Sequence, residues 1–311
     1  MPEFPFTNSD RTLVLLNPKA KGGGKSSSLR REVAEAFADR RAPFDLVEPR
    51  SARDAMRVAR EAAEEGYRCV AAAGGDGSVA AALRGTAGTE VPVAILPFGT
   101  GNQLAANFGI PLDLDDAVEV AVAGDVEPID LGRVDGEYFA LIAGAGLDAE
   151  VMAEATDDLK RRFGGAAYLM AGLRAGLKNL MTPRTADFRI VADGEEIEIT
   201  ATMVLLANVG HIAARPFPMN IQVGPEVSHR DGLLDVAVFA PRNAPEIAEI
   251  ILNLARRDYD GDERTLFLQA REVRVESDPP MATQIDGEPA GETPLEAEAV
   301  PLAGRIMVPG A

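Results

Sequence analysis

The sequence predicts two domains: an α/β domain with a mainly parallel sheet, followed by a β-rich, antiparallel, sandwich-like domain. Up to Glu127, short apolar runs alternate with helical stretches through short connections, which is typical of parallel strands covered by helices. After Pro128, strand-like runs separated by turn dipeptides dominate. We therefore place the domains at residues 1–127 and 128–301, and expect the segment 302–311 to pack back onto the first domain.

In the first domain, the spacing of apolar residues predicts four strands and four helices. Leu29, Val33 and Phe37, for example, recur on one face of a helix. The predicted strands are Leu13–Leu16, Phe44–Val47, Cys69–Ala73 and Val93–Pro97. The predicted helices are Leu29–Arg41, Ala52–Glu65, a helix that opens at Ser78–Leu83, and Leu112–Ala123.

In the second domain, runs rich in β-branched and aromatic residues predict strands. These runs are Tyr138–Ala143, Phe188–Ala192, Glu196–Thr200, Met203–Ala207, Leu234–Phe239 and Glu272–Val275. Two helical insertions are predicted among them, near Asp158–Leu180 and at Ala244–Ala255.

Composition excludes several classes of protein. Acidic residues outnumber basic ones, 49 to 31, and this net charge of −18 argues against bulk nucleic-acid binding. Cys69 is the only cysteine, so no intrachain disulfide can form and we expect a reducing, cytoplasmic location. With only His211 and His229 beside it, we predict no structural zinc site. We predict no signal peptide, because the first residues lack a basic region followed by an apolar one. We predict no membrane span, because no stretch approaches eighteen uninterrupted apolar residues.

Glycine-rich loops follow two predicted strands of the first domain. Val70–Ala73 runs into Gly74–Ser78 (GGDGS), and Val93–Pro97 runs into Phe98–Gln103 (FGTGNQ). Glycines there let the backbone approach a phosphate, and the next helix directs its N–H groups and dipole toward the anion. Because ligands of open α/β sheets bind at the carboxyl ends of strands, we expect both loops to line one cleft. A tight turn without a ligand is the competing interpretation.

A third loop, Asn17–Ser28 (NPKAKGGGKSSS), follows the strand Leu13–Leu16 and supplies lysines for phosphate oxygens. It does not match the pattern G-x-x-x-x-G-K-[ST], because Lys19 occupies the position of the first glycine. We therefore do not expect a conventional P-loop NTPase.

A competing motif, Gly144–Ala149 (GAGLDA), fits the dinucleotide fingerprint G-x-G-x-x-G/A. That fingerprint normally opens a helix within a βαβ unit. Here it lies where the chain becomes strand-rich and antiparallel, so we disfavour a nicotinamide or flavin oxidoreductase.

Six motifs of the chain resemble, in the same order, those of the diacylglycerol-kinase-type catalytic domain, which bacterial lipid kinases and sphingosine kinases share. They are NPKAKGGGK (17–25), GGDGS (74–78), FGTGNQLA (98–105), GAGLDAEV (144–151), SHRDGLLDV (228–236) and QIDGEP (284–289). The resemblance covers nearly the whole chain and is specific as a set, although GGDG alone also occurs in NAD kinases. It implies an ATP- and Mg²⁺-dependent kinase that phosphorylates the hydroxyl of a lipid.

The resemblance also implies a set of ATP-binding residues. These are Asn17, Gly74, Gly75, Asp76, Gly77, Ser78 and Thr100. Ser78 stands where the family usually has threonine, and it keeps the hydroxyl. Gln103 stands where the family commonly has aspartate, which bears on the particular lipid more than on kinase activity.

For the proton acceptor, the resemblance points to Asp286-Gly287-Glu288 and leaves open whether Asp286 or Glu288 takes the proton. A carboxylate suits this step, because phosphoryl transfer needs a group that accepts the proton of the attacking hydroxyl. The same triplet also occurs at residues 135–137 and 193–195, so local sequence cannot select one of them. Asp-Gly between alternating apolar residues is a strong hairpin signal. By this signal alone, each of the three triplets is predicted to be a plain hairpin turn.

A structural Mg²⁺ is implied at the motif SHRDGLLDV, bound by Asp231 and the backbone carbonyls of Ser228 and Leu233. Hard cations accept such oxygen ligands. His229 and Arg230 replace residues that are often acidic in the family, and an ordinary Asp-Gly turn is the alternative.

The segment Lys160–Arg184 gathers basic residues among apolar ones in an otherwise acidic chain. This pattern favours a helix that lies transiently on an anionic membrane surface, where the lipid alcohol would be reached. A core helix with a solvated basic edge is the alternative.

Other functions remain open at this point. An NAD kinase shares the GGDG loop, and a non-catalytic nucleotide- or lipid-binding relative would share the fold. Diacylglycerol, a sphingoid base and a phospholipid headgroup alcohol all fit the motifs as acceptors. A homodimer is compatible with the sequence, which does not determine the oligomeric state.

Overall fold

The computed structural model describes the chain over residues 7–18, 20, 26–146, 183–213 and 220–310. The chain divides into two compact units. The first comprises Met1–Ile129 and Leu302–Ala311, and the second comprises Asp130–Pro301.

The first unit has a parallel sheet with helices between its strands, which confirms the predicted α/β class. Its strands are β1 (Thr12–Leu16), β2 (Phe44–Val47), β3 (Cys69–Gly74) and β4 (Val93–Pro97). Its helices are α1 (Ser26–Asp39), α2 (Ala52–Glu64), α3 (Asp76–Thr86), α4 (Gln103–Asn107) and α5 (Leu114–Ala123), with a 3₁₀ turn at Asn8–Asp10. The order β2-β1-β3-β4 places β1 and β3 in the centre, where all their residues are buried.

Two of these helices begin at a side-chain cap. Ser51 accepts a hydrogen bond from the Asp54 N–H before α2, and Asp113 accepts one from the Asp115 N–H before α5. Helix α3 differs, because its N-cap residue is Gly75, which has no side chain to cap the first turn. The N-terminus of α3 therefore has no side-chain cap, and the one acidic residue in its first turn is Asp76.

The second unit contains an antiparallel six-stranded sheet. Its strands are β7 (Ile142–Gly146), β10 (Met203–Ala207), β13 (Leu234–Phe239), β14 (Thr265–Ala270), β16 (Ala282–Ile285) and β17 (Glu288–Glu292). Their order in the sheet is β14-β13-β10-β7-β16-β17.

Further strands of the second unit pair in a second antiparallel set. The set comprises β5 (Asp125–Val134), β6 (Glu137–Phe139), β8 (Ala186–Ala192), β9 (Glu195–Ala201), β15 (Glu272–Asp278) and β18 (Leu295–Val308). In this set, β15 lies between β8 and the first half of β18. The chain passes from the first unit to the second within β5 and returns within β18, whose Ile306 pairs with Val93 of β4. A two-stranded ribbon, β11 (His211–Ala213) and β12 (Asn220–Gln222), completes the described strands.

Residues from both strand sets form one core in the second unit, for example Phe188 and Val273 from one set and Leu206 and Val236 from the other. This core confirms the sandwich-like class predicted for the domain. The opposite face of the six-stranded sheet is covered by helix α6 (Ala244–Arg256), which contributes Ile250 to a second cluster.

The single strand predicted at Tyr138–Ala143 is wrong. The chain forms β6, leaves the ladder at Ala140 and Leu141, and then forms β7. The break has a topological cause, because β6 pairs with β5 whereas β7 pairs with β10 and β16. The helix predicted near Asp158–Leu180 lies outside the described residues.

Several strands escaped prediction, including β5, β14, β16, β17 and β18. Pro128 and Gly132 interrupt the alternation in β5, and every residue of β17 is exposed, so its sequence has no buried face to reveal. In the described stretches, no helix combines the length and the apolar character that crossing a membrane requires.

Candidate functional site

The three loops predicted to bind phosphate leave neighbouring strands at the same edge of the parallel sheet. Leu16 of β1 is paired with Ala73 of β3, and Gly74 is paired with Pro97 of β4. Backbone hydrogen bonds extend this register by one residue, since the Asn17 N–H donates to the Ala73 carbonyl and the Phe98 N–H donates to the Gly74 carbonyl. The loops are therefore adjacent at the carboxyl edge, where open α/β sheets bind ligands.

Asn17 and Ser78 connect the first loop to helix α3. The Asn17 side-chain amide donates to the Ser78 hydroxyl at 3.1 Å. Gly74 must be glycine for this arrangement, because a Cβ there would lie 2.3 Å from the Ser78 hydroxyl oxygen. The lysine-rich remainder of the first loop, Lys19 and residues 21–25, lies outside the described residues.

Gly75 and Gly99 bring the second and third loops into backbone contact. A Cβ on Gly99 would lie 2.4 Å from the Gly75 Cα, and a Cβ on Gly75 would lie 3.1 Å from the Gly99 Cα. Gly77, in the first turn of α3, has nothing within 4 Å of its would-be Cβ, and it is exposed. Glycine is thus required for packing at Gly99, and a side chain at Gly75 would press on the Gly99 backbone, whereas at Gly77 glycine leaves the backbone open to a ligand.

Asp76 ties the same two loops together through its side chain. Its Oδ1 accepts a hydrogen bond from the Leu104 N–H at 3.0 Å, so Asp76 caps the short helix α4 from another loop. Asn102, which precedes α4, is buried in the left-handed conformation (φ 50°), and its side chain donates to the Gly99 carbonyl at 2.8 Å. Thr100, which lies between Gly99 and Asn102 in the same loop, is exposed.

Helix α4 and Asn102 were not predicted from the sequence. Asparagine is the residue other than glycine that best tolerates the left-handed region, so the dipeptide Gly101-Asn102 carried a usable signal for a tight turn.

In the second unit, all three Asp-Gly-Glu triplets form hairpin turns, as their sequences predicted. Asp135, Asp193 and Asp286 have φ of 48°, 48° and 49°, and the glycine after each also has a positive φ. These angles are those of a type I′ turn. Local conformation therefore does not distinguish the triplet that was expected to carry the base.

The contacts of the aspartates do distinguish the turns. The Asp286 carboxylate accepts hydrogen bonds from three consecutive backbone N–H groups, those of Ala140 (3.0 Å), Leu141 (2.8 Å) and Ile142 (3.3 Å). Asp193 accepts from two, those of Arg271 and Glu272, and these bonds lower the pKa of its carboxyl.

Glu288 offers a different kind of carboxylate from Asp286. It lies two residues further on, at the start of β17, and is exposed. The turn therefore presents one half-buried carboxylate that is bound to the backbone and one carboxylate that is open to solvent.

The loop predicted to bind a structural Mg²⁺ carries two neighbouring carboxylates. Asp231 accepts from the Leu233 N–H at 3.0 Å, and the Ser228 hydroxyl accepts from the Arg230 N–H at 3.3 Å. The Gln269 side-chain amide lies 3.3 Å from Asp231 Oδ2 and 3.1 Å from Asp235 Oδ1, so it bridges both carboxylates.

Asp235 is 5% exposed, and its Oδ2 is buried without a hydrogen-bond partner among the described residues. Burial, with the nearby negative charges of Asp231 and Glu226, raises the pKa of Asp235 to about 7. Neither Asp231 nor Asp235 forms an ion pair within the described stretches. Their oxygen donors fit the chemistry of Mg²⁺.

No group of three or more His, Cys, Asp or Glu side chains suited to a metal occurs in the part of the chain that the structure describes. A cation on this loop would therefore depend on backbone carbonyls as well as on carboxylates.

The glycines of the competing dinucleotide motif serve strand packing. Gly144 and Gly146 lie in β7, antiparallel to β10 and β16, and a Cβ on Gly146 would lie 2.3 Å from the Thr202 carbonyl oxygen. Residues 147–149 lie outside the described residues. The described part of the motif opens no βαβ unit, so its context is not that of a dinucleotide-binding loop.

Two family models match the chain in succession. The model "Diacylglycerol kinase catalytic domain" matches residues 11–134, and the model "YegS C-terminal NAD kinase beta sandwich-like domain" matches residues 142–308. Together they cover both structural units.

Curated relatives are similar over most of the chain. A "Diacylglycerol kinase" from Bacillus subtilis is 30% identical over 78% of this chain and 78% of its own length. A "Probable lipid kinase YegS-like" from Pseudomonas syringae pv. tomato is 32% identical over 96% of this chain and 93% of its own. For an "Uncharacterized protein" of Synechocystis, 29% identical, the chain spans only 56% of the relative's length.

A solved structure shows the same fold. The crystal structure of a diacylglycerol kinase from Bacillus anthracis matches with a TM-score of 0.72 over 96% of this chain and 97% of that one, at 19% identity. The family matches extend over both units and include every glycine loop described above. The chain therefore belongs to the diacylglycerol kinase family of lipid kinases.

Proposed function

We propose that the chain is an ATP- and Mg²⁺-dependent kinase that phosphorylates the hydroxyl of a membrane lipid, with diacylglycerol as the first acceptor to test. The observation that carries this proposal is the convergence of three loops at one edge of the parallel sheet, with Asn17 bonded to Ser78 and Gly75 against Gly99. Relatives named diacylglycerol kinase support the choice of acceptor.

The chain's own groups suit a triphosphate in four ways. Gly77 carries no side chain that would keep phosphate oxygens from the backbone, and no side-chain cap competes for the N–H groups at the N-terminus of α3. Asn17 orients the Ser78 hydroxyl, and Asp76 holds the loop that carries Thr100. When bound, Mg²⁺ neutralises phosphate charge during the transfer.

In the proposed reaction, the lipid hydroxyl oxygen forms a bond to the γ-phosphorus, and the bond from that phosphorus to the β–γ bridging oxygen breaks. ADP leaves with the bond electrons, and the hydroxyl proton passes to the carboxylate of Asp286 or Glu288. The two residues differ enough in setting for their variants to be told apart, because Asp286 is bound to three backbone N–H groups and Glu288 is exposed.

The experiment is a panel of vesicles that each carry one acceptor: diacylglycerol, a sphingoid base, or a phospholipid with a free headgroup hydroxyl. Purified protein, labelled ATP and Mg²⁺ are added, and labelled lipid is measured. We expect product with diacylglycerol, and a loss of roughly 10²–10⁴-fold when the base is neutralised as Asp286→Asn or Glu288→Gln.

The chain provides matched controls for these variants in its second Asp-Gly-Glu turn. Asp193→Asn and Glu195→Gln alter the same residue types in the same type of turn, and we expect them to leave the rate of phosphorylation unchanged. Binding of ATP without labelled lipid from any acceptor would contradict the proposal and favour a non-catalytic relative.

The description of the second matched model favours one other candidate, an NAD kinase-like enzyme. Unlabelled NAD added in excess to the lipid assay separates the two. A lipid kinase continues to label lipid, whereas an NAD kinase transfers the label to the dinucleotide.

We also propose that the protein reaches its acceptor by transient binding to anionic membranes through residues 160–184. The basis is the sequence pattern alone, because residues 160–182 lie outside the described stretches. Sedimentation with anionic vesicles tests it: binding should be strong at low salt, weaker at high salt, and lost when Arg161, Arg162, Arg174 and Lys178 are changed to glutamate. Equal sedimentation of the variant, or none of the wild type, would contradict it.

A further inference from the structure

Asn208 makes an unusual set of contacts at the end of β10. It is fully buried, with 0% of its surface exposed. Its side-chain amide donates to two backbone carbonyls, that of Asp130 at 2.9 Å and that of Ala140 at 3.1 Å. Its backbone N–H donates to the Leu141 carbonyl at 2.9 Å. A residue with two buried side-chain N–H donors is needed here, and asparagine is the smallest that supplies them.

Two of the three carbonyls that Asn208 binds, those of Ala140 and Leu141, belong to peptide groups whose N–H groups bind Asp286. The Ala140 carbonyl and the Leu141 N–H share one peptide plane, and the Leu141 carbonyl and the Ile142 N–H share the next. Asp286 accepts from those two N–H groups at 2.8 Å and 3.3 Å. Because a peptide group is rigid, fixing its carbonyl fixes the direction of its N–H.

The backbone of Asp286 is also bound to the segment that binds its side chain. The Asp286 N–H donates to the Ile142 carbonyl at 2.8 Å, so both the backbone and the side chain of Asp286 are held by one short segment. That segment belongs to no strand at Ala140 and Leu141, so it has no ladder partners to hold it. The hydrogen bonds from Asn208 to the Ala140 and Leu141 carbonyls take the place of the missing ladder bonds.

Asn208 also reaches the loop of Asp231 through Asp130. The Asp130 carbonyl accepts from Asn208, the Asp130 N–H donates to the His229 carbonyl at 2.7 Å, and its Oδ2 accepts from the Gly232 N–H at 2.7 Å. Asp130 is 1% exposed, and its hydrogen bond with Asn208 is buried and little weakened by water, whereas its bond with Gly232 is half-buried. One asparagine amide thus joins the turn of Asp286 to the loop of Asp231.

We propose that Asn208 is a positioning residue of the lipid kinase, which orients the Asp286–Glu288 turn by fixing the two peptide planes that bind the Asp286 carboxylate. The expected effect of Asn208 on catalysis rests on the proposed function. The inference that Asn208 holds the turn of Asp286 does not depend on that function. Asn208 touches no reacting atom in this scheme and acts only through the turn.

The kinetic test compares Asn208→Asp with Thr202→Val. The first change keeps the shape of the side chain but removes both of its N–H donors. Thr202 lies at the other end of β10, where its buried hydroxyl donates to the Phe239 carbonyl at 2.8 Å. Both changes therefore remove buried side-chain-to-backbone hydrogen bonds next to the same strand. We expect kcat to fall on the order of tenfold or more in Asn208→Asp, with the KM for ATP unchanged and little effect on kcat in Thr202→Val.

Hydrogen exchange provides a readout that does not depend on activity. In Asn208→Asp, the amide of Leu141 should exchange at least several-fold faster, because its peptide group loses the side-chain hydrogen bond to the Ala140 carbonyl. The amide of Ile142 should change less, because the Asn208 backbone N–H still binds the Leu141 carbonyl. The amides of Arg271 and Glu272, which bind Asp193 in the equivalent turn, serve as the internal reference and should not change. If Asn208→Asp does not fold, Asn208→Ser, which keeps one donor, is measured in its place.

The outcomes separate the two proposals. Wild-type protein without kinase activity would contradict the proposed function, while the exchange measurement would still decide whether Asn208 holds the turn. Unchanged exchange at Leu141, or a fall in kcat no larger than that of Thr202→Val, would overturn the inference about Asn208.

Discussion

The side-chain amide of Asn17 lies 3.1 Å from the hydroxyl of Ser78, although 61 residues separate them in the chain. This bond joins the loop after β1 to the first turn of α3 and gives the Ser78 hydroxyl a fixed orientation. The same hydroxyl oxygen lies where a side chain on Gly74 would have to be. Two of the three loops predicted to bind phosphate are thus connected through one serine.

We predict that Ser78→Ala weakens ATP binding by about fivefold to tenfold, because a hydrogen bond from or to a neutral hydroxyl contributes about 1 kcal/mol. Ser78→Thr should retain the affinity, since it keeps the hydroxyl. Titration calorimetry with a non-hydrolysable ATP analogue measures both. An unchanged dissociation constant in Ser78→Ala would remove this residue from the nucleotide site.

We predict opposite effects for two glycine substitutions in these loops. Gly99→Ala places a Cβ 2.4 Å from the Gly75 Cα, and we expect a loss of stability of about 1–3 kcal/mol. Gly77→Ala meets no atom within 4 Å and should be neutral or stabilising by up to about 1 kcal/mol. Urea unfolding measures both changes.

The same Gly77→Ala variant tests where the phosphates lie. If they approach the first turn of α3, the added methyl group should weaken ATP binding while leaving the fold intact. A stable Gly77→Ala protein that binds ATP like the wild type would show that the phosphates do not approach this backbone.

The ion pair of Arg11 and Asp45 predicts a pH dependence of stability. The Arg11 guanidinium binds the Asp45 carboxylate through Nε at 2.6 Å, the Tyr67 hydroxyl donates to the same carboxylate at 3.0 Å, and these contacts hold the pKa of Asp45 below its usual value. A lowered folded-state pKa adds stability above the unfolded-state value, and that stability is lost as the pH falls through the folded-state value.

We therefore expect Asp45→Asn to cost about 1 kcal/mol of unfolding free energy at neutral pH, with the difference from wild type shrinking below roughly pH 4. Asp187→Asn, at an exposed carboxylate bound by Thr200, is the control. A difference that stays constant down to about pH 2 would show that the charge of Asp45 is not its cause.

The loop of Asp231 and Asp235 predicts a stabilisation by Mg²⁺ that is independent of catalysis. A cation that binds only the folded protein raises its melting temperature by mass action. We expect Mg²⁺ to raise the melting temperature of the wild type, measured without ATP, and to have little effect on Asp231→Asn. Addition of a chelator should reverse the rise. An equal shift in wild type and Asp231→Asn would place the cation elsewhere.

Sequence reasoning predicted correctly those features that depend on neighbouring residues. The alternation of apolar runs placed β2, β4, β10 and β13 at their observed bounds, because burial on a strand or helix face leaves a local periodicity. The three Asp-Gly turns were equally predictable, since a type I′ turn requires only residues that tolerate a positive φ.

Only the tertiary structure decided which of these similar local features belong together. The Asp286 carboxylate is bound by N–H groups 144 to 146 residues away, and Asn208 binds carbonyls 68 and 78 residues away. Such contacts depend on which strands pair and where the chain leaves a ladder, and no short window of sequence carries that information. The glycine loops and turns were therefore determined by the sequence locally, whereas the partners of Asp76, Asn208 and Asp286 were determined by the pairing of distant strands.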